Sequence, residues 1–344
     1  MTAPQAQYVT TPDGYNIAYA VSGSGTPFVL TPPGLHHIQR AWESPSRRKW
    51  FEGLSQRFQL VQFDFRGQGM SSRGLPASFT VADYETDLET LVDHLRLERF
   101  VLFGTCITSH AALRFAAKHP ERLQALVLLS TAASERAWPL DLFAGLGGEN
   151  WELLLWSRLV PGLPSDEAQL RINGTREIMT REDAVTRWKG ISDSDVSALL
   201  PSICTPTLVM HPRDFIHLKA EEAVKLASGL PNARLTMLDS DHPGDLYGRP
   251  SSALAAIDDF FAGLSTENGH AALDEALPQQ ARLSVRQAQV LALLVRGKTN
   301  REIATELVLS LRTVERHIEE LYAKLHVRNR AEAIALALGP LGHK

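Results

Sequence analysis

The chain has 344 residues, of which 44% are apolar and 22% charged, and these ordinary values exclude wholesale disorder. Its apolar runs are shorter than the roughly 18 residues of a membrane helix, and its first ten residues lack the basic and apolar parts of a signal peptide. Two cysteines exclude a disulfide framework. We therefore expect a cytoplasmic protein without a membrane partner, long enough for two domains.

The formal net charge of −4 is distributed unevenly along the chain. Residues 281–344 contain eleven Lys and Arg but six Asp and Glu, so this segment carries +5 and the rest of the chain −9. A small basic unit beside a larger acidic one indicates that only the small unit meets a polyanion.

Short apolar runs alternate with amphipathic helical stretches over residues 8–264, which is typical of a mostly parallel sheet covered on both faces. The predicted strands are 28–31, 58–63, 100–103, 125–130, 207–210 and 234–238, and the predicted helices are 82–96, 107–118, 219–228 and 252–263. A long insertion, about 134–200, has a helical pattern and contains four tryptophans: Trp138, Trp151, Trp156 and Trp188.

A cysteine stands where one predicted strand turns into a helix, in the run Gly104-Thr105-Cys106-Ile107-Thr108. The G-x-S-x-G elbow exposes a nucleophile on such a turn, and here a thiol takes the serine position and Thr108 the last glycine. A lone cysteine at a strand end is more often a small buried hydrophobe. The elbow position and the late His242 favour a nucleophile, and both interpretations remain open.

Further motifs follow in a fixed order: Pro32-Pro33-Gly34, Asp64-x-Arg66-Gly67-x-Gly69-x-Ser71, His119-Pro120-Glu121-Arg122, the strand 206–211 and Asp241-His242. Together with the elbow they resemble the α/β-hydrolase superfamily over about 250 residues, and especially the hydrolase-like modules joined to regulatory domains in bacteria. The resemblance implies an α/β fold with a doubly wound, mostly parallel sheet. The insertion, about 134–200, would be the helical cap, in which Trp138, Trp151 and Trp156 either line an apolar pocket or pack in the core.

The resemblance also implies site residues. Cys106 would be the nucleophile, His242 the base, and the backbone N–H groups of Leu35 and Ile107 the oxyanion hole. The acid departs from the family pattern, because the expected Asp falls on Phe215, and Asp214 comes one residue early. A one-residue loop shift would restore Asp214, and without an orienting carboxylate the histidine is poorly fixed.

Residues 265–280 are polar and without sustained periodicity, which predicts a linker between domains at 1–264 and 281–344. Four helical segments follow, and Ser284 with Gln287 and Thr299 with Glu302 fit the capping-box pattern. A short helix at 300–306, a turn and a longer helix from Ser310 to about Leu325 predict a helix-turn-helix.

The last segment resembles the LuxR-type helix-turn-helix domain over its whole length, an all-α unit of four helices. The matching features include Leu-Ser-x-Arg at 283–286, Gly297, Asn300-x-Glu302-Ile303-Ala304, Thr313-Val314-x-x-His317, Lys324-Leu325 and Arg330-x-Glu332-Ala333. Gln287 is a departure from the usual Glu. In the resembled family the last helix, here about 330–338, carries dimer contacts, although packing on its own domain is equally compatible with its pattern.

Residue chemistry assigns roles in DNA binding. Phosphates would be held by basic side chains and by the helix starts near Asn300 and Thr313, and Thr299 belongs to the same helix start. Arg316 can read guanine, and Glu315 or Glu319 can accept from a cytosine amino group. The basic phosphate contacts are Arg312, Arg316, His317 and Lys324. A solvated helix face is the competing interpretation, which we prefer for Glu320.

These observations predict a ligand-responsive transcriptional regulator that binds double-stranded operator DNA and a small, largely apolar or acyl-type molecule, as a homodimer. No cofactor or metal is expected. The alternative is a regulator whose Cys106/His242 site also hydrolyses an ester, lactone or thioester.

Overall fold

The computed structural model describes residues 3–134, 165, 174–175, 177–241, 249–276, 285–295, 298–307, 309–325, 327–330 and 332–334. The chain divides into two compact units, Met1–Ile257 and Asp258–Lys344. The boundary between the two units falls inside one helix, Pro250–Ala276.

The first unit is built on a sheet of eight strands: β1 (Gln7–Thr10), β2 (Asn16–Ser22), β3 (Pro27–Leu30), β4 (Gln59–Phe63), β5 (Phe100–Thr105), β6 (Leu123–Leu129), β7 (Thr207–Pro212) and β8 (Ala233–Leu238). Their order is β1-β2-β4-β3-β5-β6-β7-β8, with β1 and β2 antiparallel to their neighbours and the other pairs parallel. The six predicted strands and the mostly parallel sheet are confirmed. The antiparallel edge pair β1 and β2 was not predicted.

The described part of the first unit also contains five whole helices and the start of a sixth, which continues into the second unit. They are α1 (Pro45–Ser55), α2 (Val81–His94), α3 (Ser109–Lys118), α4 (Arg181–Ile191), α5 (Ala220–Gly229) and α6 (Pro250–Ala276). Local sequence sets their starts. Ser44 caps α1 with Pro45 in its first turn, and Thr80 and Asp83 form a reciprocal capping box on α2.

Helix α6 extends beyond its predicted end at residue 263. Its continuation to Ala276 makes the first part of the predicted linker at 265–280 helical, because the alanines and leucine at 271–276 favour helix although the segment lacks an apolar stripe. Residues 277–280 lie outside the described part of the chain. The domain boundaries drawn from the sequence stay a prediction.

The motif that begins at Asp64 is structural. The Asp64 carboxylate binds Nδ1 of the buried His36 at 2.7 Å and accepts the backbone N–H groups of Ile38 and Met70. Gly69, with φ of +56°, is required here, since an added Cβ would lie 2.1 Å from the Asp64 carboxylate. The motif therefore clamps the loop after β3 to the loop after β4.

Arg66 in the same motif is completely buried and ion-paired. Its Nε donates to Asp87 at 2.7 Å, its backbone N–H donates to the other Asp87 oxygen, and its Nη1 and Nη2 donate to Asp13. The guanidinium also lies 4.3 Å from the centre of the Tyr15 ring. These contacts join the β4 loop to α2 and to the turn between β1 and β2.

The second unit contains α7 (Val285–Val295), α8 (Asn300–Glu306) and α9 (Leu311–Leu325), and residues 330 and 332–334 are also helical. Apolar side chains from these helices meet in a small core: Val290, Leu291, Leu294, Ile303, Val314, Ile318, Leu321, Leu325 and Ala333. The predicted helix-turn-helix is confirmed, with α8 and α9 as its two helices.

No helix in the described part of the chain is both long enough and apolar enough to span a membrane.

Candidate functional site

Cys106 lies directly after β5, at the point where the chain turns into α3. Its φ of +56° places a residue with a Cβ in the left-handed region, the strained conformation of a nucleophile elbow. A short 3-10 turn over Cys106–Thr108 leads into the helix, and the side chain of Cys106 is partly exposed. The predicted strand, strained turn and helix are therefore present around this thiol.

Two neighbours of Cys106 make the tight elbow possible. A Cβ added to Gly104 would lie 2.9 Å from Leu128 and 3.1 Å from Ala112, so glycine allows the close packing of α3 on the sheet, and a larger residue would force these neighbours to shift. Thr108, which replaces the last glycine of the motif, is buried and donates its hydroxyl to the carbonyl oxygens of Pro32 and Thr105. The replacement therefore ties the elbow to the loop after β3.

That loop carries Leu35, one of the two predicted oxyanion donors. The other donor, Ile107, is buried, and its side chain lies against the loop at Gly34. Leu35 is partly buried and packs against the cluster of Met179 and Ala184, the latter on α4, a helix within the predicted cap. The two residues whose N–H groups were assigned to the oxyanion hole thus come from facing loops.

Arg187 on α4 is a part of this region that the sequence did not single out. Its side chain is completely buried, and its Nη1 donates to the Gly34 carbonyl oxygen and, at 3.1 Å, to Oε1 of Gln68. An isolated arginine in an amphipathic helix ordinarily indicates a solvated face, so no sequence signal distinguished it.

The structure describes Asp214, the predicted acid, and Phe215 beside it, whereas the predicted base His242 lies outside the described residues. Asp214 is exposed, while Phe215 is buried and its ring centre lies 6.0 Å from that of His211 and 5.3 Å from that of His217. The buried residue of this pair is therefore the aromatic one, and the role of Asp214 stays a prediction.

Four predicted site residues lie outside the described part of the chain: His242, Trp138, Trp151 and Trp156. Asp241, next to His242, is ion-paired with Arg249 at 2.9 Å. Within the described residues, no group of three or more His, Cys, Asp and Glu side chains is arranged to hold a metal ion.

His110, one turn after Cys106, is a buried neutral imidazole. Its Nε2–H donates to the carbonyl of Ala132 at 3.1 Å, and its Nδ1 accepts the hydroxyl of Ser194 at 2.8 Å. Burial lowers the pKa of His110 to about 4.

The buried His110 predicts acid sensitivity of the first unit. Because the unfolded histidine titrates near 6.5, the unfolded chain binds the proton first, and stability is lost as the pH falls from about 6.5 toward 4. Between pH 7.5 and pH 5 we expect a loss of about 2 kcal/mol from this residue. Urea unfolding followed by tryptophan fluorescence measures it, since all six tryptophans precede residue 189. His110→Gln should show a loss smaller by that amount, and an equal acid loss would contradict the assignment.

The side chains of α9 divide into two faces. Val314, Ile318, Leu321 and Leu325 are buried, whereas the predicted base-reading residues Glu315, Arg316 and Glu319 are exposed, as is the predicted phosphate contact Arg312. The exposed face is thus free to enter the major groove, as the second helix of a helix-turn-helix does. His317 and Thr313 are partly buried at its edge.

Polar contacts link α9 to α7 through Gln287, the residue that replaces the usual Glu of the LuxR pattern. Gln287 is buried, and its amide binds Glu320 and the Lys324 ammonium, each at 3.0 Å. Glu320 also lies 3.7 Å from Arg316 and 3.6 Å from His317. Glu320 is exposed, in keeping with the solvated face preferred for it, and it also accepts a hydrogen bond from Gln287. Lys324 has a protein partner besides its predicted role at phosphate.

The helix starts are capped by their own side chains. Thr299 and Glu302 form the predicted capping box of α8, the helix that begins at Asn300. The Thr313 N–H, predicted to meet phosphate, donates to Ser310 Oγ at 3.1 Å. To bind a phosphate, the Thr313 N–H would therefore have to give up its hydrogen bond to the capping residue Ser310.

Comparison with known proteins finds a matching family for each of the two units. Residues 27–244 match the model of the alpha/beta hydrolase fold family, and residues 281–337 match that of the bacterial regulatory proteins of the luxR family. Putative carbamate hydrolases RutD are similar to the first unit. The one from Pseudomonas savastanoi pv. phaseolicola is 26% identical over 227 residues, covering 62% of this chain and 85% of the relative. The one from Caulobacter sp. is 28% identical over 238 residues, covering 62% and 84%.

Solved structures share the fold of the first unit. A hydrolase from Pseudomonas aeruginosa PA01 superposes with a TM-score of 0.64 at 23% identity, covering 76% of this chain and 99% of that one. An N-acyl homoserine lactone degrading enzyme superposes with a TM-score of 0.59 at 19% identity, covering 75% and 99%. The chain belongs to the alpha/beta hydrolase fold family and carries a C-terminal DNA-binding domain of the luxR family.

Proposed function

We propose that this protein is a ligand-responsive transcriptional regulator whose hydrolase-fold unit binds a small, largely apolar or acyl-type molecule at Cys106 and thereby controls operator binding by the LuxR-type unit. The observation that carries the proposal is the combination of a formed elbow at Cys106 with a buried phenylalanine, Phe215, at the residue where the family resemblance expects the acid.

The replaced acid favours sensing over turnover. A catalytic histidine needs a carboxylate that fixes its tautomer and orientation, and its loss costs about 10⁴-fold in rate in a serine protease. Here the residue where the family resemblance expects the acid is Phe215, and Asp214 faces solvent. A site of this kind retains a thiol, a shaped loop and a cap, which suffice to bind an acyl compound or to be acylated by it.

Control of DNA binding requires that the ligand favour one of two arrangements of the protein. A molecule with equal affinity for both would shift nothing, so the ligand must contact elements that differ between them. One short recognition helix reads few base pairs, and a homodimer on two half-sites multiplies the specificity. We therefore place the protein on operator DNA as a homodimer.

DNA binding through α9 gives the first test. The whole protein should retard a double-stranded fragment selected from a random library, and Arg316→Ala should weaken binding about 10- to 100-fold because it removes an exposed base-reading side chain. Arg234→Ala removes the same charge from an exposed position on β8 and is the control. Binding that is insensitive to both salt and Arg316→Ala would contradict the assignment.

Ligand control gives the second test. Acylation of Cys106 with p-nitrophenyl butyrate, verified by intact mass, should change the Kd for the selected fragment by at least about fivefold. Cys106→Ala treated in the same way is the matched control and should show no change. An acylated protein with an unaltered Kd would count against sensing at this site.

Hydrolysis of an ester, lactone or thioester remains a second candidate function, and the left-handed backbone of Cys106 favours it, because the elbow serves nucleophilic attack. The carbamate hydrolases among the relatives support the same candidate. Multiple turnovers of p-nitrophenyl esters that disappear in Cys106→Ala would establish it. The sensor proposal expects at most one turnover for each thiol.

A further inference from the structure

The loop after β3 is held at two of its carbonyl oxygens by residues outside it. Thr108 of the elbow donates to the Pro32 carbonyl at 2.5 Å, and Arg187 of α4 donates to the Gly34 carbonyl. The second contact bears on the chemistry at Cys106, because the Gly34 carbonyl and the Leu35 N–H belong to one peptide unit. That unit is planar and trans, so a bond that fixes its oxygen also fixes the direction of its N–H.

Besides the Gly34 carbonyl, Arg187 has polar neighbours among the described residues but no carboxylate partner: its guanidinium also lies beside the buried Tyr84 hydroxyl and opposes the rise of the Tyr84 pKa that burial causes. It is completely buried, and its Nη1 is shared between the Gly34 oxygen and Gln68, while the guanidinium carbon lies 5.4 Å from the centre of the Trp188 ring. Among the described residues no carboxylate forms an ion pair with it. A buried cation without a carboxylate partner is costly to retain, and here its charge is directed at a backbone carbonyl.

A cation on the carbonyl oxygen also changes the strength of the peptide as a donor. It draws electrons toward the oxygen and makes the N–H on the other side of the unit a better hydrogen-bond donor, as in other chained hydrogen bonds. An oxyanion hole depends on donors that are fixed before charge develops, because reorienting them during the reaction costs free energy.

We propose that Arg187 is a positioning residue for acyl chemistry at Cys106, fixing and polarising the Gly34–Leu35 peptide so that the Leu35 N–H is preset to receive an oxyanion. The inference rests on the proposed function in one respect, that an acyl compound reaches Cys106. It assigns the cap helix α4 a part in the reaction itself.

The step under test is the acylation of Cys106 by an activated ester. The thiolate Sγ forms a bond to the ester carbonyl carbon, and the π electrons move to the oxygen, which becomes the oxyanion. Collapse of this intermediate expels p-nitrophenolate and leaves a thioester on Cys106. Alkylation by iodoacetamide instead displaces iodide from carbon and forms no oxyanion, so it reports the reactivity of the thiol alone.

The experiment compares both reactions in the full-length protein and in three variants, all carrying Cys204→Ser, because the exposed Cys204 would otherwise react with both reagents. Single-turnover release of p-nitrophenolate from p-nitrophenyl butyrate gives the acylation rate, and iodoacetamide alkylation across pH gives the thiolate fraction. Each rate is divided by the thiolate fraction, so that a change in thiol ionisation caused by the loss of the Arg187 charge does not affect the comparison. The variants are Arg187→Met, Arg187→Lys and Arg181→Met, the last removing an exposed arginine from the same helix.

We expect acylation per thiolate to fall about 10- to 100-fold in Arg187→Met, since removing one oxyanion donor outright costs about 10²–10³-fold. Alkylation per thiolate should stay within about twofold. Arg187→Lys should recover part of the loss, and Arg181→Met should match the unaltered protein. Should Arg187→Met fail to fold, as judged by tryptophan fluorescence, the same difference between the two reactions in Arg187→Lys carries the test.

The inference is overturned if acylation and alkylation fall by the same factor, if the Arg187 variants acylate at the unaltered rate, or if the unaltered protein is not acylated at all. Operator binding is a separate readout. An acylation difference that persists in a protein whose DNA affinity ignores acylation would contradict the proposed function and support the role of Arg187.

Discussion

Replacing Leu321 by alanine is expected to abolish operator binding by unfolding the C-terminal unit. Leu321 is completely buried and packs with Leu291, Leu325 and Ala333, so it joins α9 to α7 and to the last helical residues. Truncating a buried leucine removes its transfer free energy and leaves a cavity, at a cost of about 2–5 kcal/mol. A small helical unit has little stability beyond this to lose.

Hydrogen exchange of the α8 and α9 amides measures the loss without relying on DNA. The control is Leu311→Ala on the same helix, where the leucine is 39% exposed and truncation should leave exchange nearly unchanged. Tryptophan fluorescence should show the unfolding of the other unit unaltered in both variants, because residues 281–344 contain no tryptophan. Retained protection in Leu321→Ala would show that this side chain does not hold the helix-turn-helix together.

Replacing Arg66 by methionine is expected to destabilise the hydrolase-fold unit by about 3–5 kcal/mol at neutral pH. The methionine keeps much of the volume but leaves Asp87 buried without its partner. The matched control is Arg40→Met, in which an exposed arginine loses Glu43 and Glu177, and surface pairs of this kind contribute about 0–1 kcal/mol.

The loss in Arg66→Met should depend on pH. Burial raises the pKa of Asp87 to about 6 even with Arg66 present, and removal of the guanidinium raises it further. A carboxyl whose pKa is raised in the folded state binds its proton more tightly there, so stability falls as the pH rises through that value. Urea unfolding should therefore show a larger defect at pH 8 than at pH 5, and a defect that is equal at both would exclude Asp87 as its source.

The sequence was most informative where a residue type is forced by geometry. Gly104 and Cys106 predicted the elbow because the close approach of α3 to the sheet excludes side chains at one position and the turn strains the other. The spacing of the apolar residues predicted α9, because the buried face of a helix repeats every three to four residues. These residues are Val314, Ile318, Leu321 and Leu325.

Local sequence patterns could not predict contacts between segments that are far apart in the chain. Arg187 is 153 residues from Gly34 in the chain, and its role depends on the packing of α4, which no local spacing encodes. The bonds from Gln287 to Glu320 and Lys324 likewise appear only when α7 and α9 are side by side. The edge strand β1 was missed because three of its four residues are exposed and it lacks an apolar run. The adjacent strand β2 does contain a buried run from Ile17 to Ala20, so its omission was an error of interpretation and not a missing signal.

The left-handed backbone at Cys106 sets stability against sensitivity at a single residue. A residue with a Cβ in this conformation destabilises the folded state by about 1–3 kcal/mol, whereas glycine adopts the conformation without that strain. If the proposed function holds, Cys106→Gly should therefore yield a more stable protein that no longer responds to acyl compounds. Selection for thermostability alone would favour that substitution, so a stabilised protein that keeps the chemistry of the thiol must gain its stability elsewhere and retain the strain at Cys106.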